Sequence, residues 1–359
     1  MYHEAGLIDT KDGMQFKIYS NSHPKDFIIA KPKYIPTDLI ELAGFKKRFI
    51  LSKCMNRFNL FTKKEVIKEN LNKLKSAGFS DLIFHSETHN NWFLGVTKNK
   101  IKTVYDTREG LRQLLKVPDE DLDNYLSSAK EFITALTNSG VSLDNFGISH
   151  STLLCNYTPG KSDIDIIIFG KENGWKVIRF LESFKHLSLK WKSKEEWGEY
   201  YDKRVVSKLF SKEEYVFNMM RKKDDGFYNG HVFSLFVVEN ENEFWYNWSD
   251  RHEPLETVKL SATVKDDYNS IVRPGFYELE NSKIISGYKE VSVRRIVNWS
   301  RPFTLQVKKG EKLEATGLLE KIQAKEGEFY QLVIGYFDSY INERGEQEYI
   351  KALVKNALL

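Results

Sequence analysis

The stretch Asp163-Ile164-Asp165-Ile166-Ile167-Ile168-Phe169 constrains this chain more than any other. Side chains of an extended strand alternate between its two faces. Asp163 and Asp165 therefore share one face, Ile164 and Ile166 take the other, and the apolar run that follows reads as a strand covered on both sides. Two carboxylates at the mouth of such a strand repel each other and lose hydration. A divalent cation that prefers hard oxygen ligands, Mg²⁺ or Mn²⁺, relieves both costs, which makes Asp163 and Asp165 candidate metal ligands. A plainer account is that Asp163 is a turn residue and Asp165 pairs with a nearby lysine.

What precedes the strand sharpens the choice. Leu143–Ile148 reads as a short strand that runs into Gly147–Ser151, a strand-to-helix turn whose hydroxyl and free backbone N–H groups can face an anion. Gly147, His150 and Ser151, with Lys161 and Ser162 just ahead of the Asp163 strand, form the candidate nucleotide-binding set. Metal carboxylates beside a phosphate cradle are the parts that phosphoryl or nucleotidyl transfer requires.

Ser151, an interval of eleven residues, and then Asp163-Ile164-Asp165-Ile166 resembles the signature of the DNA polymerase β-like nucleotidyltransferase superfamily. More narrowly, most of the chain is similar to an archaeal group of predicted nucleotidyltransferases with a like strand between an N-terminal α+β segment and a β-rich tail. The resemblance implies metal-assisted attack of a hydroxyl on the α-phosphate of a nucleoside triphosphate. Asp163 and Asp165 would hold the metal, and Ser151 with adjacent backbone would hold the β- and γ-phosphates. Two positions depart from the pattern. His150 stands where glycine normally allows backbone to approach phosphate. The third carboxylate that active members carry on a neighbouring strand is missing from the best strand available, His231–Val238, where Ser234 is central and Glu239 lies only at the end. Glu239 is thus the remaining candidate for the third catalytic acid. The alternative is a degenerate descendant that binds nucleotide or nucleic acid without turnover.

Other motifs carry less. Pro159-Gly160-Lys161-Ser162 ends like a phosphate-binding P-loop, but Cys155 replaces its first glycine and a strand follows it instead of a helix. His85 and His89 lack the intervening glutamate position of a zinc-protease helix, and their context reads as strand and loop.

The remaining chain predicts an α+β protein of three units. Residues 1–116 read as an N-terminal α+β segment, with strands at Met14–Tyr19 and Asp26–Ala30 ended by Pro32 and Pro36, and a helix over Lys63–Ser76. Residues 117–255 read as the nucleotidyltransferase-like mixed sheet with helices. Residues 256–359 show short, evenly spaced strands suited to a small barrel or sandwich. With 54 basic and 50 acidic residues among 359, the formal charge of +4 excludes a polybasic binder as a whole-chain description. Local clusters such as Lys46-Lys47-Arg48 beside Phe49 keep RNA or DNA open as partners. Two cysteines cannot build a disulfide framework. With no signal-like start and no run near the roughly 20 apolar residues of a span, the expectation is a cytoplasmic protein without membrane contact.

Overall fold

A computed structural model describes residues 2–354 apart from 51, 61, 206, 208 and 289. The chain adopts the expected α+β class, and among the described residues its strands fall into three sheets.

The N-terminal unit contains β1 (Leu7–Thr10), β2 (Gln15–Ile18), β3 (Phe27–Pro36), β4 (Lys46–Ile50), β5 (Lys53–Arg57), α1 (Lys64–Leu74), β6 (Ile83–Ser86), β7 (Asn91–Thr97) and β8 (Ile101–Tyr105). Its sheet runs β4-β5-β3-β2-β1-β8, with β7 and then β6 added beside β3. Pro32 does not end β3 as expected, and the strand runs on to Pro36. The β2–β3 register shifts between Gln15 and Phe16, and Pro32 sits opposite Phe16 beside that irregularity. A strand tolerates a residue without an N–H at such a break in the ladder.

The central unit comprises α2 (Thr107–Lys116), α3 (Asn124–Leu136), β9 (Phe146–Ile148), α4 (His150–Leu153), β10 (Ile164–Phe169), α5 (Lys171–Ser183), β11 (Leu189–Trp191), α6 (Lys194–Arg204), α7 (Lys212–Met220), β12 (Asp225–Tyr228) and β13 (His231–Val238). The sheet order is β11-β12-β13-β10-β9, with β10 parallel to β13 and antiparallel to β9. Asp123 caps α3 by accepting a hydrogen bond from the Leu126 N–H, and Tyr125, Ala129, Phe132, Ile133 and Leu136 form its buried stripe. That stripe packs on Ile164, Ile166 and Ile168 of β10 and on Phe233, Leu235 and Val237 of β13. Each such aliphatic side chain contributes about 1.5–3 kcal/mol on burial. Leu111 and Leu114 of α2 join this core although they precede residue 117.

The C-terminal unit contains β14 (Arg251–Asp266), β15 (Gly275–Ser286), β16 (Val293–Asn298), β17 (Lys312–Ala324), β18 (Gly327–Ile334) and β19 (Tyr349–Ala352). Strands β14-β15-β16-β18-β17 close into a ring because β14 also pairs with β17, and β19 pairs with the first part of β17 ahead of the stretch that pairs with β18. Of the two expected forms, the barrel is therefore the one adopted. Val258, Leu260, Ala262 and Val264 alternate inward along β14. Helices α6 and α7, each opened by a serine–glutamate capping box, lay Trp197, Tyr215 and Met219 against the barrel core rather than the central sheet.

Candidate active site

The second face of β10 carries the polar end of the strand. Asp165, Ile167 and Phe169 lie opposite Ser234, Phe236 and Val238 of β13. Ile167, Phe169, Phe236 and Val238 pack with Ala5, so the N-terminal unit covers this face of the central sheet. Asp163 remains at the open mouth.

The turn ahead of the strand is built tightly. The Ser149 N–H donates to the Asp165 carbonyl at 3.0 Å, and the Ser149 hydroxyl donates to the Ala5 carbonyl at 2.5 Å. Gly147 is needed for packing, since a Cβ there would meet the Thr107 carbonyl oxygen at 2.9 Å. His150 takes a left-handed backbone (φ 51°), a conformation that costs a non-glycine residue roughly 1–2 kcal/mol. Its Nδ1 lies 3.0 Å from Asp165 Oδ2, and its Nε2 is buried without a hydrogen-bond partner. Burial, then the charges of Lys17, Lys33, Lys31 and Arg301, hold the imidazole well below its usual pKa. A neutral ring beside an ionised Asp165 carries its proton on Nδ1, leaving a lone pair on Nε2. Ser151 is half-buried in the single turn of α4.

Helix α3 ties the turn to the strand. Tyr125 donates its hydroxyl hydrogen to the Asp163 carbonyl at 2.8 Å, and its oxygen lies 2.7 Å from Thr152 Oγ1. Asp163 is pushed up to about 6 by burial, with Asp165 and Asp225 adding to the effect. Asp165 is also pushed up to about 6, by burial, against the pull of Lys17, Arg301 and Lys33.

A third carboxylate shares this row of the sheet, one strand beyond where sequence reasoning sought it. Asp165 pairs with Ser234, and Ser234 pairs with Asp225 across the β12–β13 hairpin, about 9.5 Å from Asp165 at two strand spacings. Ser234 donates to Asp225 Oδ2 at 3.0 Å, while Arg301 donates to Ser234 Oγ at 3.1 Å. Lys192 forms an ion pair with Asp225. The signal was present: Asn229 and Gly230, both with positive φ, form a two-residue hairpin turn, and that turn sets residue 225 opposite 234.

The other expected site residues fall elsewhere. Glu239 follows the far end of β13, roughly five residues or 16 Å along the strands from Asp165, where Lys171 Nζ meets it at 3.0 Å. It is not brought to the Asp163 end, because β13 runs parallel to β10. Burial pushes its carboxyl up to about 7. Lys161 is exposed in the loop ahead of β10, and Ser162 uses its hydroxyl to accept from the Thr158 N–H at 2.9 Å.

Among the described residues, no three His, Cys, Asp or Glu side chains cluster closely enough to hold a metal ion. Two carboxylates nevertheless suit Mg²⁺, which usually takes one or two from the protein and completes its shell with water and substrate phosphates. The donor chemistry of Asp163 and Asp165 therefore fits such an ion. Sequence reasoning allowed a lysine near Asp165 but identified none of the cations around the pair: Lys17, Lys31 and Lys33 from the N-terminal sheet, and Arg301 from the loop after β16. Among the described residues no helix is long and apolar enough to cross a membrane.

With this geometry in view, comparison with known proteins adds little chemistry. No family model matches the chain, and no solved structure matches it. An uncharacterized protein of Methanocaldococcus jannaschii is 26% identical over 345 residues, covering 94% of this chain and 96% of its own length.

Proposed function

We propose that the protein is a metal-dependent nucleotidyltransferase with a nucleotidyltransferase-like central sheet. It would move a nucleotidyl group from a nucleoside triphosphate to a hydroxyl acceptor. The observation that carries this reading is Asp165 on β10 with Asp163 just ahead of the strand, beside the His150 turn, with Asp225 on the row of Asp165 and lysines and arginines around them. In the reaction the acceptor oxygen bonds to the α-phosphorus, the bond to the bridging oxygen breaks, pyrophosphate leaves, and the hydroxyl proton passes to a base or to water. Asp163 and Asp165 would hold Mg²⁺ or Mn²⁺, which supplies Lewis-acid polarisation of the phosphoryl oxygens. Tyr125 positions Asp163, and Asp225, held by Ser234, Lys192 and Arg301, is the third carboxylate on the row of Asp165. Incubating the full chain with labelled nucleoside triphosphates and pooled acceptors tests the reading. Wild type should transfer label and Asp163→Asn and Asp165→Asn should not; equal transfer by all three would sink it.

A degenerate, binding-only protein is the second reading, favoured by the His150–Asp165 contact and the neighbouring cations that already answer the Asp165 charge. It predicts Mg²⁺-independent binding with no turnover. In either case RNA or DNA is a fitting partner for the β4–β5 hairpin, where Lys46, Lys47, Arg48, Lys53 and Arg57 are exposed and Phe49 is 79% exposed.

A further inference from the structure

Several groups of the turn expected to cradle phosphate are already engaged. Gly147 gives its space to Thr107, the Ser149 N–H and hydroxyl serve Asp165 and Ala5, and His150 Nδ1 serves Asp165. Across from them the N-terminal sheet presents lysines. Lys17 of β2 lies directly opposite Lys31 of β3, so their Cβ atoms are roughly 5 Å apart. Lys33 follows two residues along β3 on the same face, roughly 7 Å from Lys31.

These lysines face the same space as the carboxylates. Lys17 Nζ sits 4.6 Å from the ring centre of Phe236, and the Arg301 guanidinium sits 4.3 Å from that ring. Phe236 is two residues beyond Ser234 on the face that carries Asp165. The nearby acids are largely committed elsewhere: Glu4 to Arg273, Asp224 to Lys222, and Asp225 to Lys192 and Arg301. Among the described residues the side chains of Lys17 and Lys33 make no ion pair or hydrogen bond. The strain of this arrangement is legible in the ammonium groups. Burial, with Arg273 and Lys31 adding, lowers Lys17 well below its usual pKa. Lys31 falls to about 7 and Lys33 to about 8, again chiefly by burial. Like charges held together at the edge of water are relieved when an anion joins them.

We propose that Lys17, Lys31 and Lys33 form a polyphosphate subsite, which takes the triphosphate tail of the nucleotide from the side opposite Asp163 and Asp165. The subsite rests on the nucleotidyltransferase reading for its ligand and replaces the 147–151 turn in the role of phosphate cradle. A triphosphate fits better than a nucleic-acid strand. The three lysines make a compact, half-buried triangle between two sheets, whereas a strand needs an open groove several nucleotides long.

Calorimetric titration of the full chain with inorganic tripolyphosphate, in buffer containing a chelator, tests this directly. Wild type should bind. Lys17→Met and Lys33→Met should each weaken binding roughly tenfold or more, the worth of one charge-assisted hydrogen bond, while Asp163→Asn binds at least as tightly as wild type. No binding by wild type, or unchanged binding by the lysine variants, overturns the subsite. So does competition by a single-stranded oligonucleotide where tripolyphosphate fails to compete. A second measurement needs no variant: reductive methylation at pH 7.5, read by mass spectrometry, should modify Lys31 and Lys33 early, and tripolyphosphate should protect them. Absence of protection overturns the proposal even if the methionine variants do not fold. Lysine-dependent binding without transfer to any acceptor would support the subsite and sink the enzymatic reading. Transfer with an unaltered KM for nucleotide in the lysine variants would do the reverse.

Discussion

His150 Nδ1 lies 3.0 Å from Asp165 Oδ2, so the residue at the turn position where glycine would suit phosphate is bonded instead to a candidate metal ligand. The two features conflict, because the ring competes for the lone pairs that a cation would use. His150→Gly removes the ring and the cost of a left-handed backbone at φ 51°. We expect Mn²⁺ affinity to rise about tenfold, equivalent to about 1.4 kcal/mol, in a calorimetric titration. Affinity equal to wild type would show that His150 does not compete with the ion.

Asp225 joins the row of Asp165 and Ser234 without either residue being its neighbour in sequence. If it assists the acceptor hydroxyl, Asp225→Asn should lower kcat by about 100-fold or more and leave KM for nucleotide little changed. A drop in thermal midpoint with kcat intact would assign Asp225 to the Lys192 and Arg301 ion pairs alone.

Tyr125 holds Asp163 by its main chain and Thr152 by its side chain with one hydroxyl. Tyr125→Phe leaves a buried carbonyl and hydroxyl short of a partner, a loss of about 1–3 kcal/mol. Urea unfolding should register that loss. If Tyr125 also positions Asp163, kcat falls while nucleotide binding persists.

His3 is held neutral in the fold: Nδ1 donates to the Glu4 carbonyl at 2.8 Å, and Nε2 accepts from Thr107 Oγ1 at 3.1 Å. Burial pushes its pKa down to about 4 from 6.5. The unfolded chain therefore takes up the proton first. The stability this histidine contributes is complete above pH 6.5 and is lost as pH falls towards 4, by about 1.4 kcal/mol per pH unit. Asp163, Asp165 and Glu239, raised to about 6, 6 and 7, act with the opposite sign over part of that range. The informative comparison is thus between variants. Wild type should lose stability relative to His3→Gln between pH 6.5 and 4, and parallel curves would contradict the assignment.

Much of the architecture was legible because local rules govern it. The alternation of Ile164, Asp165 and Ile166 set the two faces of β10, although the strand begins only after Asp163. The even spacing of short strands announced a small barrel or sandwich, and the pairing of β14 with β17 decided between them. Pro32 misled because a register shift in the partner strand, invisible in β3 alone, lets the strand continue. Asp225 was within reach through the Asn229-Gly230 turn, yet reading His231–Val238 as an isolated strand hid it.

What could not be read along the chain is the charge around Asp165. Sequence order predicts that two carboxylates two residues apart share a face, since side-chain alternation is a property of any extended backbone. Whether those carboxylates meet a cation, a histidine or a ring of lysines depends on distance and burial, which fall off in space and not along the chain. Lys17, Lys31 and Lys33 lie more than a hundred residues upstream in sequence, and only the packing of the N-terminal sheet over the central one brings them to the site. Within the central sheet, the parallel pairing of β10 with β13 makes Glu239 a structural partner of Lys171, and the β12–β13 hairpin puts Asp225 on the row of Asp165.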